Sequence, residues 1–409
     1  MRRALGVGSL CPPLIAALLG CGGGEAFVGP RVDAPFAGLS AGVLHTCGVT
    51  ATGQVFCWGW NRDGQLGDGS RSDRAVPVRV DSPVRFAAVT AGGGHTCGVA
   101  TDGNAYCWGF NLSGQLGDGT QDSRLRPVRV VGARTYTSLD AGGAFTCGAG
   151  TDSAAYCWGW GAAGQLGGIA PEGCLTATGT DPCARTPMAV SGGLRLVEVA
   201  AGVRHGCGLA ADSTAWCWGE NGSGELGDSV VADTAAPVPV LGGHRFVAIT
   251  VGFEHSCGLA PDGEAYCWGS NTLGQLGDTS VGSSALPRLV LGGITFSSLS
   301  AGATHSCGVS VLGVAYCWGS NASGQLGTDE SPASCAVAGG DVVGCARRPV
   351  AVEGALSFTL LASGTHHTCG LTTSQVAYCW GLNDRGQLGD GTRRGSALPV
   401  RVANQDAVP

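Results

Sequence analysis

Cysteine shapes the first reading of this chain, because it recurs in pairs ten residues apart: Cys47 and Cys57, Cys97 and Cys107, Cys147 and Cys157, Cys207 and Cys217, Cys257 and Cys267, Cys307 and Cys317, Cys369 and Cys379. Paired thiols either hold zinc or close a disulfide. Zinc sites favour a CxxC spacing, which these pairs lack. Between Cys97 and Cys107 the run Thr101-Asp102-Gly103 reads as a hairpin loop with Gly in the left-handed position. Counting outward from it sets the two cysteines directly opposite. Cross-strand Cα separations of ~4.5–5.5 Å overlap the ~4.4–6.8 Å a disulfide needs. The hairpin geometry thus restricts a connectivity that sequence alone would leave open. Asp152-Ser153 and Asp212-Ser213 lack the Gly, so those turns are expected to differ. Cys174 with Cys183 and Cys335 with Cys345 form two further pairs, and with Cys11 and Cys21 set aside all 18 remaining cysteines are matched. Persistent disulfides require an oxidising compartment. Closing an 11-residue loop stabilises by at most roughly 2.8 kcal/mol in the chain-entropy model.

Other chemistry-bearing residues also repeat. His45, His95, His205, His255, His305 and His367 recur in Ala-Gly-x-x-His, with Val251 and Ser363 in place of Ala in two copies and Phe145 in place of His in the third. Such a ring could bind metal or titrate near neutrality; packing with a hydrogen bond to a neighbour is the structural alternative, favoured because Phe145 is tolerated. Asp68-Gly69, Asp118-Gly119 and Asp390-Gly391 read as turns, since the alternating oxygen ligands of a calcium loop are absent. No metal or cofactor is expected. No nucleophile elbow, HExxH, P-loop or dinucleotide fingerprint is found. A carboxylate pair for glycoside chemistry would be visible only in three dimensions.

These residues sit on a repeat of 50 residues, stretched to 60 after Cys147 and to 62 after Cys307. One copy reads as four strands: Phe86–Thr90, His95–Ala100, Ala105–Gly109 and an edge strand from Pro127, with a long ordered loop from Asn111 before the last. Four strands at this period are propeller blades. The fold class is all-β: a seven-bladed β-propeller of four-stranded antiparallel blades with intra-blade disulfides, over residues 36–402, followed by a tail at 403–409. A residue present once per blade usually maintains the blade, so a binding site should break the pattern. Insertion one, Gly168 to Pro187, carries Arg185; insertion two, Thr328 to Pro349, carries Arg347 and Arg348. Both fall between the Gly-Gln-Leu-Gly loop and the fourth strand and should emerge on one face. Stapled loops on a rigid scaffold suit recognition, although inherited decoration is the plain alternative. After Cys-Trp-Gly stand Trp60, Phe110, Trp160 and Leu382, where other copies have Glu220, Ser270 or Ser320. That arc is a candidate patch for a protein or glycan.

At the N-terminus, Met1-Arg2-Arg3, an apolar stretch from Ala4 to Leu19 and Leu18-Leu19-Gly20-Cys21 have the layout of a signal peptide over residues 1–20. The last four resemble a bacterial lipobox, with Cys21 as the lipidated residue and residues 21–35 as a flexible tether. Pro12-Pro13 interrupts the stretch, and plain secretion is the alternative. The formal net charge is −7, and all 23 basic residues are Arg. The absence of Lys excludes Schiff-base and P-loop lysines. An acidic chain without a basic run is a poor nucleic-acid ligand.

Cys57-Trp-Gly-Trp-Asn61-Arg-Asp-Gly64-Gln65-Leu66-Gly67 resembles the repeat of the regulator-of-chromosome-condensation family and recurs at Asn111, Asn271, Asn321 and Asn383. Gly161 departs from it in the third copy and Glu225 in the fourth. The resemblance implies a seven-bladed propeller in an exported member. The family's nucleotide exchange on a nuclear GTPase relies on a wedge and a basic tail, which have no counterpart in this sequence. The expected function is a non-enzymatic recognition or scaffold module, monomeric, binding a protein or polysaccharide through one face. Its expected place is the cell envelope, on an outer-membrane lipid anchor, or outside the cell. The alternatives are a polysaccharide-active enzyme and, by family analogy alone, an exchange factor.

Overall fold

The computed structural model describes residues 31–176, 179–336 and 341–405. Each repeat folds as its own antiparallel sheet, in blade 1 from strands Phe36–Ala41, His45–Thr50, Val55–Gly59 and Arg74–Arg79. Six further sheets repeat this order. First-strand residues from all seven blades line a central channel of about 230 Å³.

All seven hairpin cysteine pairs face each other in register and close as disulfides. Cys47 joins Cys57, Cys97 joins Cys107, Cys147 joins Cys157 and Cys207 joins Cys217. Cys257 joins Cys267, Cys307 joins Cys317 and Cys369 joins Cys379. Their Cα atoms stand 4.0–4.1 Å apart, closer than the spacing expected from the sequence. The reason is their place in the ladder. Ala100 N–H donates to the Asn104 carbonyl, so alternation outward puts Cys97 and Cys107 at a non-hydrogen-bonded pair, where antiparallel strands come nearest. The turns without Gly do not differ as expected: Ser153 and Ser213 adopt φ of 64° and 69°, the left-handed position of Gly103. The Asp152 and Asp212 carboxylates, accepting from the N–H of Ala154 and Thr214, hold those turns closed.

A single sheet cannot bury both of its faces, so the core lies between blades. Cys47, Val49, Cys57 and Leu66 of blade 1 cluster with Phe86 and Trp108 of blade 2. The equivalent Trp58 of blade 1 packs into blade 7, which closes the ring. All seven of these tryptophans are fully buried.

One polar network accompanies each seam. The Gln65 carbonyl accepts from Trp108 Nε1 at 2.9 Å and from the Thr96 hydroxyl at 2.8 Å. With its proton committed there, Thr96 Oγ1 accepts from His45 Nε2 at 2.9 Å. Nε2 therefore carries a hydrogen, and complete burial keeps the imidazole neutral. The same arrangement recurs from His95 to Thr146, His205 to Ser256, His255 to Ser306, His305 to Thr368 and, across the closure, His367 to Thr46. The Glu225 carbonyl, in the fourth copy, plays the same part. Close approach at the channel demands glycine: a Cβ on Gly202 would stand 2.3 Å from the carbonyl oxygen of Gly252. Val32, just before the first strand, bridges Gln405, just after the last.

The seam between blades 3 and 4 departs from the pattern on both sides. Phe145 replaces the histidine and Gly206 replaces the hydroxyl residue that would receive it, while Trp218 still donates to the Gln165 carbonyl at 2.9 Å. Losing only one partner would leave a buried polar group unpaired. Phe145→His alone should thus destabilise by about 1–3 kcal/mol, and adding Gly206→Ser should recover about 1 kcal/mol of it. Urea denaturation of the two single variants and the double variant measures this coupling; strictly additive effects would refute it.

Candidate functional site

The turns before the histidines and the loops after Cys-Trp-Gly share one end of the ring, where Trp60 N–H donates to the Leu44 carbonyl and the other copies do likewise. Every loop but that of blade 3 is organised from within by its asparagine. Asn61 Oδ1 accepts from Leu66 N–H, and its amide donates to Asp68 Oδ1, Ser70 O and Ser72 O. Asp68 in turn accepts from the Ser70 N–H and hydroxyl and from Arg74 at 2.8 Å. Asp118 makes the corresponding bonds to Thr120 and Arg124, and Asp390 those to Thr392. These Asp-Gly pairs are turns. Among the described residues, no group of three or more His, Cys, Asp or Glu is placed to hold a metal ion.

Both insertions emerge on this loop face as hairpins at its outer rim. In blade 3 the fourth strand lengthens to Gly179–Ala189 and pairs outward with a fifth strand, Glu172–Thr176. In blade 6, Val342–Ala351 pairs with Ala333–Ala336. Cys174–Cys183 and Cys335–Cys345 staple them. Each hairpin also repairs its own loop: Gly161 N–H donates to the Pro182 carbonyl and Asn321 N–H to that of Gly344, where Asn61 and Asn221 use Asp73 and Asp233. The hairpins thus supply the acceptor that Asp73 and Asp233 supply elsewhere.

The three hairpin arginines do not converge. Arg185 is half-buried, pairs with Glu172 of its own hairpin and offers its carbonyl to Gly119 of blade 2. Arg347 does the same toward blade 5, donating to Ser280 O and accepting from Thr279 N–H. Arg348 is exposed. Arg185 and Arg347 thus serve the joint between blades.

The aromatic positions do lie together. Blades 7, 1, 2 and 3 are consecutive in the ring, so Leu382, Trp60, Phe110 and Trp160 form one arc, each half-buried. Hairpin one joins this arc: Asp181 Oδ2 accepts from Trp160 Nε1 at 3.2 Å. Gln121 bridges blade 2 to the hairpin through the Leu112 and Leu175 carbonyls. The Arg204 guanidinium lies 5.1 Å over the Trp160 ring and pairs with Glu220 at 3.1 Å. Leu112 and Leu175 are exposed beside it, at 45% and 72%. Arg204 and Asp181 were not legible as site residues, since neither belongs to a repeated motif.

Two first-strand carboxylates were also missed, Asp140, which lines the channel, and Glu198. Asp140 stands where other first strands carry Ser40, Thr90, Thr250 or Ser300, whose hydroxyls accept the next blade's N–H. It accepts from Thr90 and from Ala201 N–H, both at 2.8 Å, and so spans three blades. Glu198, on the first strand of blade 4, accepts from Ile249 N–H of blade 5 at 3.4 Å. Burial raises both carboxyls, that of Glu198 to about 7. The histidine-to-hydroxyl substitution pattern would have pointed to blade joints, whereas these single departures carried no such signal.

A closed ring of seven disulfide-bearing blades, with symmetry-breaking loops gathered on one face, defines a β-propeller built for presenting a surface. The chain belongs to the RCC1-like domain family, whose model matches residues 19–346. Regulator of chromosome condensation (RCC1) repeats match residues 358–387 and 376–408. The ultraviolet-B receptor UVR8 of Arabidopsis thaliana is 47% identical over 58 residues, which span 14% of this chain and only 12% of the receptor. Among solved structures, Prp20p of Saccharomyces cerevisiae, described with its binding to Gsp1p and histones, superposes with a TM-score of 0.73 at 22% identity, over 87% of each chain. Human WBSCR16 gives 0.71 at 20% identity, over 84% of this chain and 89% of its own. At these identities the likeness is one of fold.

The buried histidines make acid stability the sharpest test of the packing assignment. Desolvation lowers five of them to about 3 and His255 to about 4. The unfolded chain therefore binds protons below about pH 6.5 that the folded chain refuses, and stability falls as pH drops through that value. Each histidine should cost roughly 1 kcal/mol per pH unit there. Glu198 and Glu225, both raised to about 7, oppose this below neutrality but are outnumbered. Urea midpoints should be markedly lower near pH 5 than at pH 7.5; equal midpoints would overturn the assignment of neutral, buried imidazoles.

Proposed function

We propose that this chain is a non-enzymatic recognition module of an oxidising compartment outside the cytoplasm, binding a partner protein through the arc of blades 7, 1, 2 and 3. The observation that carries this reading is the gathering of Trp60, Phe110, Trp160 and Leu382 on consecutive blades, with Trp160 oriented by Asp181 and covered by Arg204. Aromatic side chains beside Arg are the residue types that anchor protein interfaces, and fixing their orientation beforehand lowers the entropic cost of binding. Nine disulfides support the oxidising compartment. Hairpin one belongs to this surface; hairpin two stands three blades away and serves as an accessory. The first-strand carboxylates Asp140 and Glu198 each bond the next blade's backbone and act as blade latches, which favours recognition over glycan hydrolysis.

The signal peptide, Cys21 and most of the tether lie outside the described residues. Lipidation of Cys21 remains part of the proposal on the strength of Leu18-Leu19-Gly20-Cys21. Metabolic labelling with a fatty acid should mark the wild-type protein and not Cys21→Ser; a labelled variant would exclude that anchor. For the arc, Trp60→Ala/Phe110→Ala/Trp160→Ala should keep the wild-type melting temperature within a few degrees and lose about tenfold or more in affinity for a partner captured from envelope or culture fluid. Undiminished capture by the folded triple variant would refute this surface.

A further inference from the structure

Ring closure brings together two loops from opposite ends of the sequence. Arg62 and Arg71 come from the loop of blade 1, and Arg385, Arg393 and Arg394 from that of blade 7; all five are exposed. The loops are locked side by side, since Gly391 N–H donates to the Ala75 carbonyl at 2.8 Å. Arg385 Nη1 and Arg393 Nη2 approach the same oxygen of Asp73, at 3.6 and 4.0 Å. The other Asp73 oxygen accepts from Asn61 N–H, so this largely buried carboxylate is fixed beneath both guanidiniums. Arg71 donates to the Arg62 carbonyl. Among the described residues Arg62, Arg71 and Arg394 make no ion pair.

The two loops carry five acids, Asp63, Asp68, Asp73, Asp384 and Asp390, against these five arginines, but among those acids only Asp384 is exposed, so the outer surface presents mainly guanidiniums. Asp63 is half-buried, Asp384 lies 3.8 Å from Arg385, and Asp390 is engaged by Thr392 and Asn383. The corresponding loop of blade 4 carries Glu220, Glu225, Asp228 and Asp233 with no arginine. The loop face is therefore polarised, in a chain whose overall charge is −7. Trp60 and Leu382 lie half-buried on the same two blades.

We infer that the seam between blades 7 and 1 binds an acidic segment of a partner polypeptide, carboxylates on the guanidiniums and apolar side chains on Trp60 and Leu382. This rests on the arc being the recognition surface and specifies the chemistry of what meets it. A planar guanidinium matches a carboxylate through two parallel hydrogen bonds. Asp63 and Asp384, interspersed among the arginines, would repel a uniformly anionic polymer such as a sulfated glycan. A segment that alternates acidic with apolar residues can avoid them.

The probe is a labelled synthetic peptide alternating Glu with Leu and Tyr, titrated against the intact disulfide-bonded chain by fluorescence anisotropy. Saturable binding is expected at low ionic strength, weakening about tenfold or more when salt shortens the Debye length to below about 5 Å. Arg62→Gln/Arg71→Gln/Arg394→Gln removes guanidiniums without ion pairs and should weaken binding about tenfold at an unchanged melting temperature. Arg245→Gln, on the opposite face, should bind as wild type. The inference is overturned if the wild type does not bind the peptide, if the seam variant binds it equally well, or if heparin displaces it at lower charge concentration than free peptide does. Failure here, with partner capture still lost in the Trp60/Phe110/Trp160 variant, would leave the recognition surface standing. Peptide binding at the seam, with capture intact in that variant, would count against the surface itself.

Discussion

The backbone carbonyl of Gln65 accepts an indole N–H and a hydroxyl from the next blade, and its counterparts in most other blades do the same. Much of the repeat follows from that double acceptor. A blade is a lone sheet, so its large side chains can be buried only against a neighbour, and the buried tryptophan needs an acceptor where it lands. A backbone carbonyl, fixed by the tight Gly-Gln-Leu-Gly turn, supplies one irrespective of side chain, which is why Glu225 can replace glutamine without breaking the joint. The hydroxyl that shares this carbonyl has its proton directed, so the histidine behind it donates from Nε2, and burial keeps that ring neutral. Indole, hydroxyl, imidazole and glycine turn form one unit of recognition between blades, repeated until it closes on itself.

The cystines belong to this unit rather than decorating it. Cys47 follows Thr46 and Cys57 precedes Trp58, so each disulfide ties together the two strands that carry the seam's donors. The cystine also packs against the neighbouring blade's tryptophan, as Cys47 and Cys57 do against Trp108. A covalent bond at this point fixes the spacing between two hydrogen-bond donors that must reach one acceptor. The seams then need no exchange of strands between the first and last blades, and the loop face is freed from any duty in closing the ring beyond contacts such as Gly391 to Ala75.

The blade count, the four strands, the cystine register and the common face of the insertions were all legible in the sequence, because each follows from spacing within one repeat. What spacing could not convey is contact across a seam. Phe145 looked like an isolated tolerance of the repeat, yet its explanation lies in Gly206 on the next blade. Likewise Arg62 and Arg393 appear in unrelated stretches of an acidic chain, and only closure makes them neighbours. The left-handed conformation of Ser153 escaped for a local reason, since its stabilising contact comes from the preceding aspartate rather than from the residue itself. Arg185 and Arg347 were legible as departures from the repeat, but their role depends on which blade they lean against.

Departures from the repeat fall into two physical kinds, and the difference bears on where recognition can reside. Inside a seam a departure can come with a compensating change, as Phe145 does with Gly206. Burial enforces this, because an unpaired donor or acceptor in a packed joint costs about 1–3 kcal/mol. The departures on the loop face are less enclosed. Trp60, Phe110 and Leu382, each half-buried, stand at a position that is a buried serine in blades 5 and 6, where Ser270 accepts from the Gln275 side-chain amide. Packing at that position is met by either kind of residue, so it does not by itself call for an apolar arc flanked by exposed arginines on one side of the ring. A surface less bound by packing, and yet organised, is where a partner's demands would be recorded.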